Sequence, residues 1–372
     1  MLKIDCAYFK GDRPCKLHKE FGIKCDECNH YKPIQNKILI IKLDAIGDVL
    51  RTTSILPPLR KKYSDAFITW CTKSNATQLF SNNDFVDEII TTEEDAFFRI
   101  NVEEYDIVIN LDTSKISSSI AALANGKNKI GFVLNKKGYV EATSKAADKW
   151  LEMSAFDDLK KENKQTYQEI MYEILELDKT KIAQPILKLS DADLEKGNSL
   201  AKKWMLSKKC TTVGLNVGIG TKWPSKGWPA KRWEELIETL NSKNHQLLLL
   251  GGRDEKELIT ELCKKYKFLI NTGYNNSLVE FAAIVNLCDI LITADTLALH
   301  IGTALDKKII ALFGPTSINE IDLYRKGKKV TAPDECKCYY NRYCTEEVSC
   351  MEKITSGTVM KAISEIEKLW ET

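Results

Sequence analysis

The sequence lacks any long apolar run. Its longest, ILII at 38–41 and LLLL at 247–250, are far too short to cross a bilayer. The N-terminus, MLKIDCAYFKGDRPC, has no apolar h-region, so no secretory signal is expected. Together these absences predict a soluble, cytoplasmic protein. An excess of charge is missing too: 54 Lys+Arg oppose 52 Asp+Glu, leaving +2. A global electrostatic grip on nucleic acid is therefore not indicated, and no nucleic-acid partner is expected. The glycine-rich loop at 216–229 matches neither GxxxxGK[ST] nor GxGxxG, which disfavours an NTPase and a dehydrogenase. No DxD-like metal motif stands out in the second half.

What is present is a chain of 372 residues, enough for two to three domains at about 150 residues each. It is 44% hydrophobic and 28% charged, a balance that supports packed cores rather than disorder. Of its 12 cysteines, 8 fall in two short windows: Cys6, Cys15, Cys25 and Cys28, then Cys336, Cys338, Cys344 and Cys350. In a reducing compartment, clustered thiols more often bind metal or do redox work than form disulfides. Cys71, Cys210, Cys263 and Cys288 sit singly beside apolar runs and read as small buried hydrophobes.

Strand and helix patterns alternate in two halves. KILIIKL (37–43), AFITWC (66–71), VDEII (86–90), YDIVINLD (105–112) and KIGFV (129–133) read as strands. Residues 134–165 are polar and lysine-rich without a clear period, and read as a mobile loop over a site. QTYQEIMYEILELD (165–178) is helical. The stretch 184–197 turns into a helix capped by Ser190 or Asp191, so the domain boundary is placed near 180–190. The second half repeats the pattern. Its strands are TTVGLNVG (211–218), HQLLLLGG (245–252), ILITAD (290–295) and KKIIALFG (307–314), with helices between and an amphipathic helix at 354–371. This predicts two doubly wound α/β domains, each with a parallel sheet, and a ligand cleft at the carboxyl ends of the strands.

Four segments carry candidate chemistry. In Asp44-Ala-Ile-Gly47-Asp48, the glycine permits a tight turn, and Asp48 is either a helix cap or a general base facing the cleft. The loop Asn216-Val-Gly218-Ile-Gly220-Thr221-Lys222-Trp-Pro-Ser-Lys226-Gly-Trp-Pro lets backbone approach an anion ahead of a helix, and its lysines and threonine suit phosphate. Gly251-Gly252-Arg-Asp-Glu255 ends a strand in glycines. Its carboxylates either favour the next helix dipole or bind ribose hydroxyls. Finally, Asp295-Thr296-Leu297 opens a helix that carries His300, at a turn able to hold a diphosphate.

Taken in order, these stretches resemble glycosyltransferase family 9, the ADP-heptose heptosyltransferases of lipopolysaccharide synthesis. The resemblance lies in 37–70, GLNVGIGTKWPSKGWPAKRWEEL (214–236), LLLLGGRDE (247–255) and 275–317. It implies a GT-B fold of two Rossmann-like domains, 37–185 for the acceptor and 186–335 for the nucleotide sugar. It also implies a final segment, 336–372, whose helix returns to the first domain. Carried over residue by residue, Asp48 falls on the catalytic base, Lys226 on the donor-phosphate lysine, and Asp295, Thr296 and His300 on the donor motif. Glu255 falls near the residue that holds the ribose. Two departures stand out: Leu297 replaces a glycine of the motif, and Arg51 replaces a common histidine, a change that bears on the acceptor or adds an anion contact.

The implied reaction is inverting transfer from ADP-heptose to a hydroxyl of a glycan, a lipopolysaccharide core or a protein, with no metal needed for the transfer step. A heptosyltransferase group that modifies autotransporter proteins carries a similar four-cysteine iron site. The cysteine windows, including segment 1–36, are accordingly expected to hold structural zinc or iron, or an iron–sulfur cluster, at one site or two. His18 and His30 are spare candidate ligands there. Two other functions stay open: a transferase using another nucleotide-diphospho sugar, and a non-catalytic, metal-dependent scaffold. Arg60, Lys61, Lys62, Lys160 and Lys161 could support peripheral contact with the inner face of the inner membrane.

Overall fold

The computed structural model describes residues 1–9, 11–93, 96–243 and 245–368. The first half forms one six-stranded sheet from β1 (Asn36–Ile41), β2 (Ala66–Thr72), β3 (Glu88–Thr91), β4 (Tyr105–Asn110), β5 (Gly126–Leu134) and β6 (Val140–Ala142). The strands lie in the order β3-β2-β1-β4-β5-β6, parallel except for the β5/β6 edge pair. The second half repeats this with β7 (Thr212–Asn216), β8 (Gln246–Leu250), β9 (Ile270–Asn271), β10 (Ile290–Ala294), β11 (Lys308–Phe313) and β12 (Gly327–Thr331). Their order, β12-β11-β10-β7-β8-β9, is the same winding met from the other edge.

The central strands are unbroken apolar runs because helices cover both of their faces. Ile38, Leu39, Ile40 and Ile41 of β1 are fully buried, as are Leu248, Leu249 and Leu250 of β8. Each sheet reverses its strand order once, between β1 and β4 and between β7 and β10, and a crevice opens at such a switch point. The loops at 44–48 and 217–229, and the turn at 295–296, leave from these positions. They are the segments singled out in the sequence.

The two domains share one apolar cluster. It runs from Ile38, Val49 and Ile68 through the partly buried Ile46 and Leu297 to Ala298, Ile301 and Leu250. At its centre the helix Ile46–Thr52 crosses the helix Leu297–Ala304 at Gly47. A Cβ there would lie 2.7 Å from Cδ2 of His300 and 3.6 Å from the Cα of Leu297. Gly47 is therefore needed for close helix approach, rather than only for the turn expected from its position.

Several expectations change. Residues 134–165 are not a mobile loop: they contain β6 and the helices Lys145–Ala155 and Asp157–Glu162. Ser144 caps the first of these by accepting from the Ala147 N–H, a local signal hidden among lysines. Three strands, β6, β9 and β12, were not foreseen. The last helix, Ser356–Lys368, does not return to the first domain. Its apolar face (Val359, Ile363, Ile366) joins the core of the second domain with Val213, Trp233 and Leu240. That stripe matched the second sheet's outer surface, and periodicity alone does not say which surface a helix covers. Ser190 does cap the helix Asp191–Lys203, with its side chain accepting from the Asp193 N–H. No helix among the described residues is long and apolar enough to cross a membrane.

Candidate active site

Asp48 sits in the first turn of the helix Ile46–Thr52, directly after β1. About a third of its side chain (35%) is exposed, whereas its partner Arg51 is 11% exposed, with Nη2 2.8 Å from Asp48 Oδ1. Burial pushes the Asp48 carboxyl up, but Arg51, Lys42 and His300 outweigh this and hold it below the usual carboxylate range. Asp48 is thus ionised, as a general base must be.

Beneath it lies a pair that the sequence reading missed. Lys42, at the end of the β1 run, is buried, with Nζ 3.4 Å from the Leu111 carbonyl and 3.4 Å from Asp112 Oδ1. Burial pushes this ammonium down, but Tyr167, Asp112 and Asp48 hold it above its ordinary value. Asp112 Oδ2 also accepts from the N–H groups of Leu43 and Asp44, at 3.2 and 3.4 Å. The loop that presents Asp48 is therefore tied across the switch point to the end of β4. A lysine interrupting ILIIKLD was the available signal, because a charge in a buried strand needs a partner.

In the second domain, Lys226 Nζ donates to the Asp295 carbonyl at 2.9 Å and to its Oδ2 at 3.0 Å. Burial raises the Asp295 carboxyl, but Lys226, His300 and Arg51 carry it well below the usual range. His300 is buried, and burial followed by Arg51 pushes its imidazole down to about 4, so it is neutral at pH 7. Asn216 Nδ2 donates to the Gly218 carbonyl, Thr293 Oγ1 and Thr296 Oγ1 at 2.9, 3.0 and 3.3 Å. This braces the loop after β7 against the turn after β10. Thr296 precedes the helix Leu297–Ala304 without capping it by a side-chain hydrogen bond.

A cleft of about 660 Å³ opens between the domains. The first domain contributes Ile46, Ser74, Asn75, Thr77 and Gln78. The second contributes Asn216, Gly218, Gly220, Gly252, Glu255, Thr296 and Leu297, together with Asp254, Tyr274, Asn276 and Ser277. Glu255, expected either to favour the helix dipole or to bind ribose, lines the cleft and also engages the backbone. Its Oε1 accepts from the N–H groups of Ile219 and Gly220 at 3.0 and 2.9 Å, and its Oε2 from that of Gly252 at 2.9 Å. It fixes the glycine loop, where Gly220 has φ +66°, and so occupies two N–H groups that would otherwise face an anion. Thr221, Lys222, Lys226, Asp295, His300 and Asp48 do not line this cleft. Thr221 and Lys222 are exposed on the loop, while Lys226, Asp295, Arg51 and Asp48 form a charged group around the neutral His300, linked across the domain contact. Tyr274, Asn276 and Ser277 follow β9, a two-residue strand with little sequence signature.

The C-terminal cysteines come together beside this machinery. Cys336, Cys338, Cys344 and Cys350 line one small cavity of about 180 Å³. Cys338 and Cys344 are joined as a disulfide, while the Cys350 thiol hydrogen-bonds with Cys336. Among the N-terminal four, Cys6 pairs with Pro33 in an isolated bridge and Cys15 caps the helix Lys16–Phe21. Cys25 begins a single 3-10 turn that Cys28 closes, and Cys15, His18 and Cys25 line a common cavity. No three His, Cys, Asp or Glu side chains among the described residues are placed to hold one ion. Cys71 and Cys288 are buried as expected, while Cys210 and Cys263 are only partly so. Of the basic residues weighed for membrane contact, Arg60 is engaged by the Phe85 carbonyl and Asp87, and Lys161 by Glu335.

Two doubly wound domains of matching strand order, with glycine loops of the second facing a cleft between them, define a GT-B glycosyltransferase architecture. The model of glycosyltransferase family 9 (heptosyltransferase) matches residues 97–351, and the chain belongs to that family. The lipopolysaccharide heptosyltransferase 2 of Salmonella typhimurium is 26% identical over 99 residues, 25% of this chain and 28% of that protein. The lipooligosaccharide heptosyltransferase 2 of Campylobacter jejuni is 30% identical over 168 residues, 42% of this chain and 51% of that protein. These matches thus span between a quarter and about half of the relatives' length. Among solved structures, a family 9 glycosyl transferase from Veillonella parvula superposes with TM-score 0.74 at 20% identity, covering 91% of this chain and 98% of that one. The E. coli ADP-heptose lps heptosyltransferase II gives 0.68 at 20% identity, covering 90% and 100%. The E. coli dodecameric iron-containing heptosyltransferase TibC, in complex with ADP-D-beta-D-heptose, gives 0.57 at 12%, covering 91% and 79%. Likeness at these identities establishes the fold.

Proposed function

We propose that this chain transfers a heptose from ADP-heptose, with inversion, to a hydroxyl of a glycan, a lipopolysaccharide core or a protein. The observation that carries the reading is an ionised, part-exposed Asp48 at one switch point, on the same helix as Ile46, which lines the cleft between the domains. Asp48 takes the acceptor proton as that oxygen attacks the anomeric carbon. The bond to the diphosphate breaks and its electron pair leaves with the nucleotide. The uncapped N-terminus of the helix Leu297–Ala304 offsets the charge that develops there, joined by Lys226 once it turns from Asp295. Asp254, Tyr274, Asn276 and Ser277 offer the polar and aromatic contacts that a nucleoside needs. A different nucleotide-diphospho sugar is the second reading. It is favoured by Leu297, whose side chain lines the cleft where the family motif has glycine.

The four C-terminal cysteines suit a structural zinc or iron ion by their chemistry and their shared cavity, but would hold one only after the Cys338–Cys344 pair is reduced and the thiols close in on a common point. Such an ion would supply cross-linking of the loop and no step of the transfer. The N-terminal cysteines and His18 would form a second site only after rearrangement. Metal stoichiometry on purified protein distinguishes one site from two.

The deciding experiment is calorimetry with ADP-heptose and with GDP- and UDP-sugars, on wild type and Asp48→Ala. Selective binding of ADP-heptose by both, with turnover only by wild type, is the expected result. Selective binding of another donor would move the reading to the second one. A folded, metal-loaded protein that binds none of them would refute the transferase reading and leave a scaffold.

A further inference from the structure

Asp48 shares its cation with a second carboxylate. Arg51 reaches back to Asp48 with Nη2 and places Nη1 3.8 Å from Glu320 Oε2, on the second domain. The guanidinium stacks on Tyr167, 3.7 Å from the ring centroid. Tyr167 is in turn fixed at both ends: its hydroxyl lies 2.6 Å from Thr52 Oγ1, and its N–H donates to the Glu320 carbonyl at 2.9 Å. Glu320 is 8% exposed, and its Oε1 accepts from the Tyr340 hydroxyl at 3.3 Å. Arg51 Nε is buried and has no hydrogen-bond partner. The guanidinium is therefore held by stacking and by two carboxylates from opposite domains.

This arrangement answers a chemical difficulty. A carboxylate locked to arginine is reliably ionised, but it is a poor base, because accepting a proton gives up the ion pair. A buried guanidinium left without a counter-ion at that moment would be costly. The second carboxylate removes that cost. We propose that Arg51 and Glu320 are a positioning pair for the base: Arg51 holds Asp48 ionised and aimed, and Glu320 takes over the arginine's charge as Asp48 gains the acceptor proton. Because Glu320 belongs to the second domain, the base is fully assembled only when the domains meet. The inference rests on the transferase reading for its role in turnover, although the charge coupling itself does not.

Other groups face the same charges and are common to all variants of the test. Lys42, at the end of β1, and His300, on the helix Leu297–Ala304, act on Asp48. Lys160, on the helix Asp157–Glu162, and Asp295, after β10, act on Glu320, whose carboxyl burial raises against the pull of Arg51 and Lys160. Asp295 also acts on Arg51.

The test uses two substitutions with opposite expected signs. Arg51→Gln removes the cation, so the Asp48 titration moves to higher pH. Glu320→Gln leaves Arg51 to Asp48 alone, so it moves to lower pH. Each shift is expected at about one pH unit, a tenfold change in ionised fraction on the acid side. The titration is read by carbon-13 NMR of labelled aspartate carboxyls, with Asp48 assigned by Asp48→Asn. The acid limb of kcat/KM against pH is read in parallel. Arg51→Lys keeps the charge and is expected to stay near wild type in both. A purely structural role would lower activity or melting temperature without moving either limb, and that result would overturn the proposal. So would shifts of the same sign in both variants, or a shift in Arg51→Lys as large as in Arg51→Gln. Opposite NMR shifts in a protein that transfers no sugar would uphold the pair and refute the transferase reading instead. If Arg51→Gln does not fold, Glu320→Gln and Arg51→Lys still decide the matter.

Discussion

Replacing Gly47 by alanine sets a small helix gain against a steric loss at the centre of the domain contact. The new Cβ would lie 2.7 Å from Cδ2 of His300, closer than real Cβ contacts come, and 3.4 Å from its Nε2. The imidazole is 7% exposed, and the next neighbour, the Cα of Leu297 at 3.6 Å, is backbone. Relief therefore requires either turning a buried ring or moving one helix off the other. Alanine in place of helical glycine gains about 0.5–1 kcal/mol, whereas overpacking of this kind costs about 1–3 kcal/mol. The net is a loss centred near about 1 kcal/mol and reaching about 2.5 kcal/mol at most. For a domain of this size the central value lowers the melting temperature by about 2–4 °C. Calorimetric or fluorescence melts give the stability, and donor titration gives the functional consequence, since Leu297 and Ala298 on the displaced helix line the cleft. The expected signature is a lower melting temperature together with weakened donor binding. An unchanged or raised melting temperature with donor affinity intact would refute the claim that glycine is required by helix approach.

Lys42→Met keeps the length of the side chain but leaves Asp112 without its buried cation. It is expected to cost about 3 kcal/mol, seen as a lower urea midpoint, and a midpoint within error of wild type would contradict the pairing. His300 contributes a pH dependence of definite sign. Its imidazole is pushed down to about 4 in the folded protein, whereas an unfolded histidine titrates near 6.5, so the unfolded chain takes up this proton first. The contribution, about 3 kcal/mol, is complete above the unfolded value and is lost as pH falls through the folded one. Denaturant titrations between pH 7 and 4 are expected to show this fall, and His300→Gln to flatten it. Ser225→Ala removes the hydrogen bond to the Asn341 carbonyl at 2.7 Å, which joins the Lys226 loop to the cysteine loop. A loss of about 1 kcal/mol there is expected to weaken donor binding up to about fivefold without changing the acid limb of the rate profile.

Much of this architecture was legible because it is written in local terms. Fully buried parallel strands read as nearly continuous apolar runs, and ILII, LLLL and the ILI of 290–292 are such runs. The loops that leave them carry Asp48, Gly218 and Asp295 at places where topology puts any ligand. The cap at Ser190 was legible for the same reason, since a side chain and an N–H three residues apart suffice to make it. What was hidden depends on long-range placement. Glu320 follows an ordinary loop, and its meaning comes from Arg51 and Tyr167, which are far away in sequence. Glu255 read either as a helix-dipole partner or as a ribose ligand, because the sequence shows a carboxylate after glycines but not which N–H groups it accepts from. The last helix has a clear apolar stripe, yet nothing in a stripe says whether it meets the first sheet or the second. Residues 134–165 hid two helices because lysines blurred the period, leaving Ser144 as the remaining cue.

The cysteine loop connects to both halves of the site by geometry alone. The Ser225 N–H donates to the Arg342 carbonyl at 3.1 Å, and Arg342 Nη2 donates to the Thr221 carbonyl at 3.2 Å, so the loop carrying Lys226 is pinned at two points. Trp223 packs edge-on against Tyr340, with ring centroids 6.3 Å apart. The hydroxyl of that same Tyr340 reaches Glu320. The Cys338–Cys344 disulfide thus closes a loop that holds one residue, Tyr340, which touches the Lys226 loop on one side and the counter-carboxylate of Arg51 on the other. Neither link asks the cross-link to carry electrons or to touch a substrate. A cross-link here acts by removing freedom from a loop of few apolar contacts, which is where a small, otherwise poorly anchored segment gains most from one.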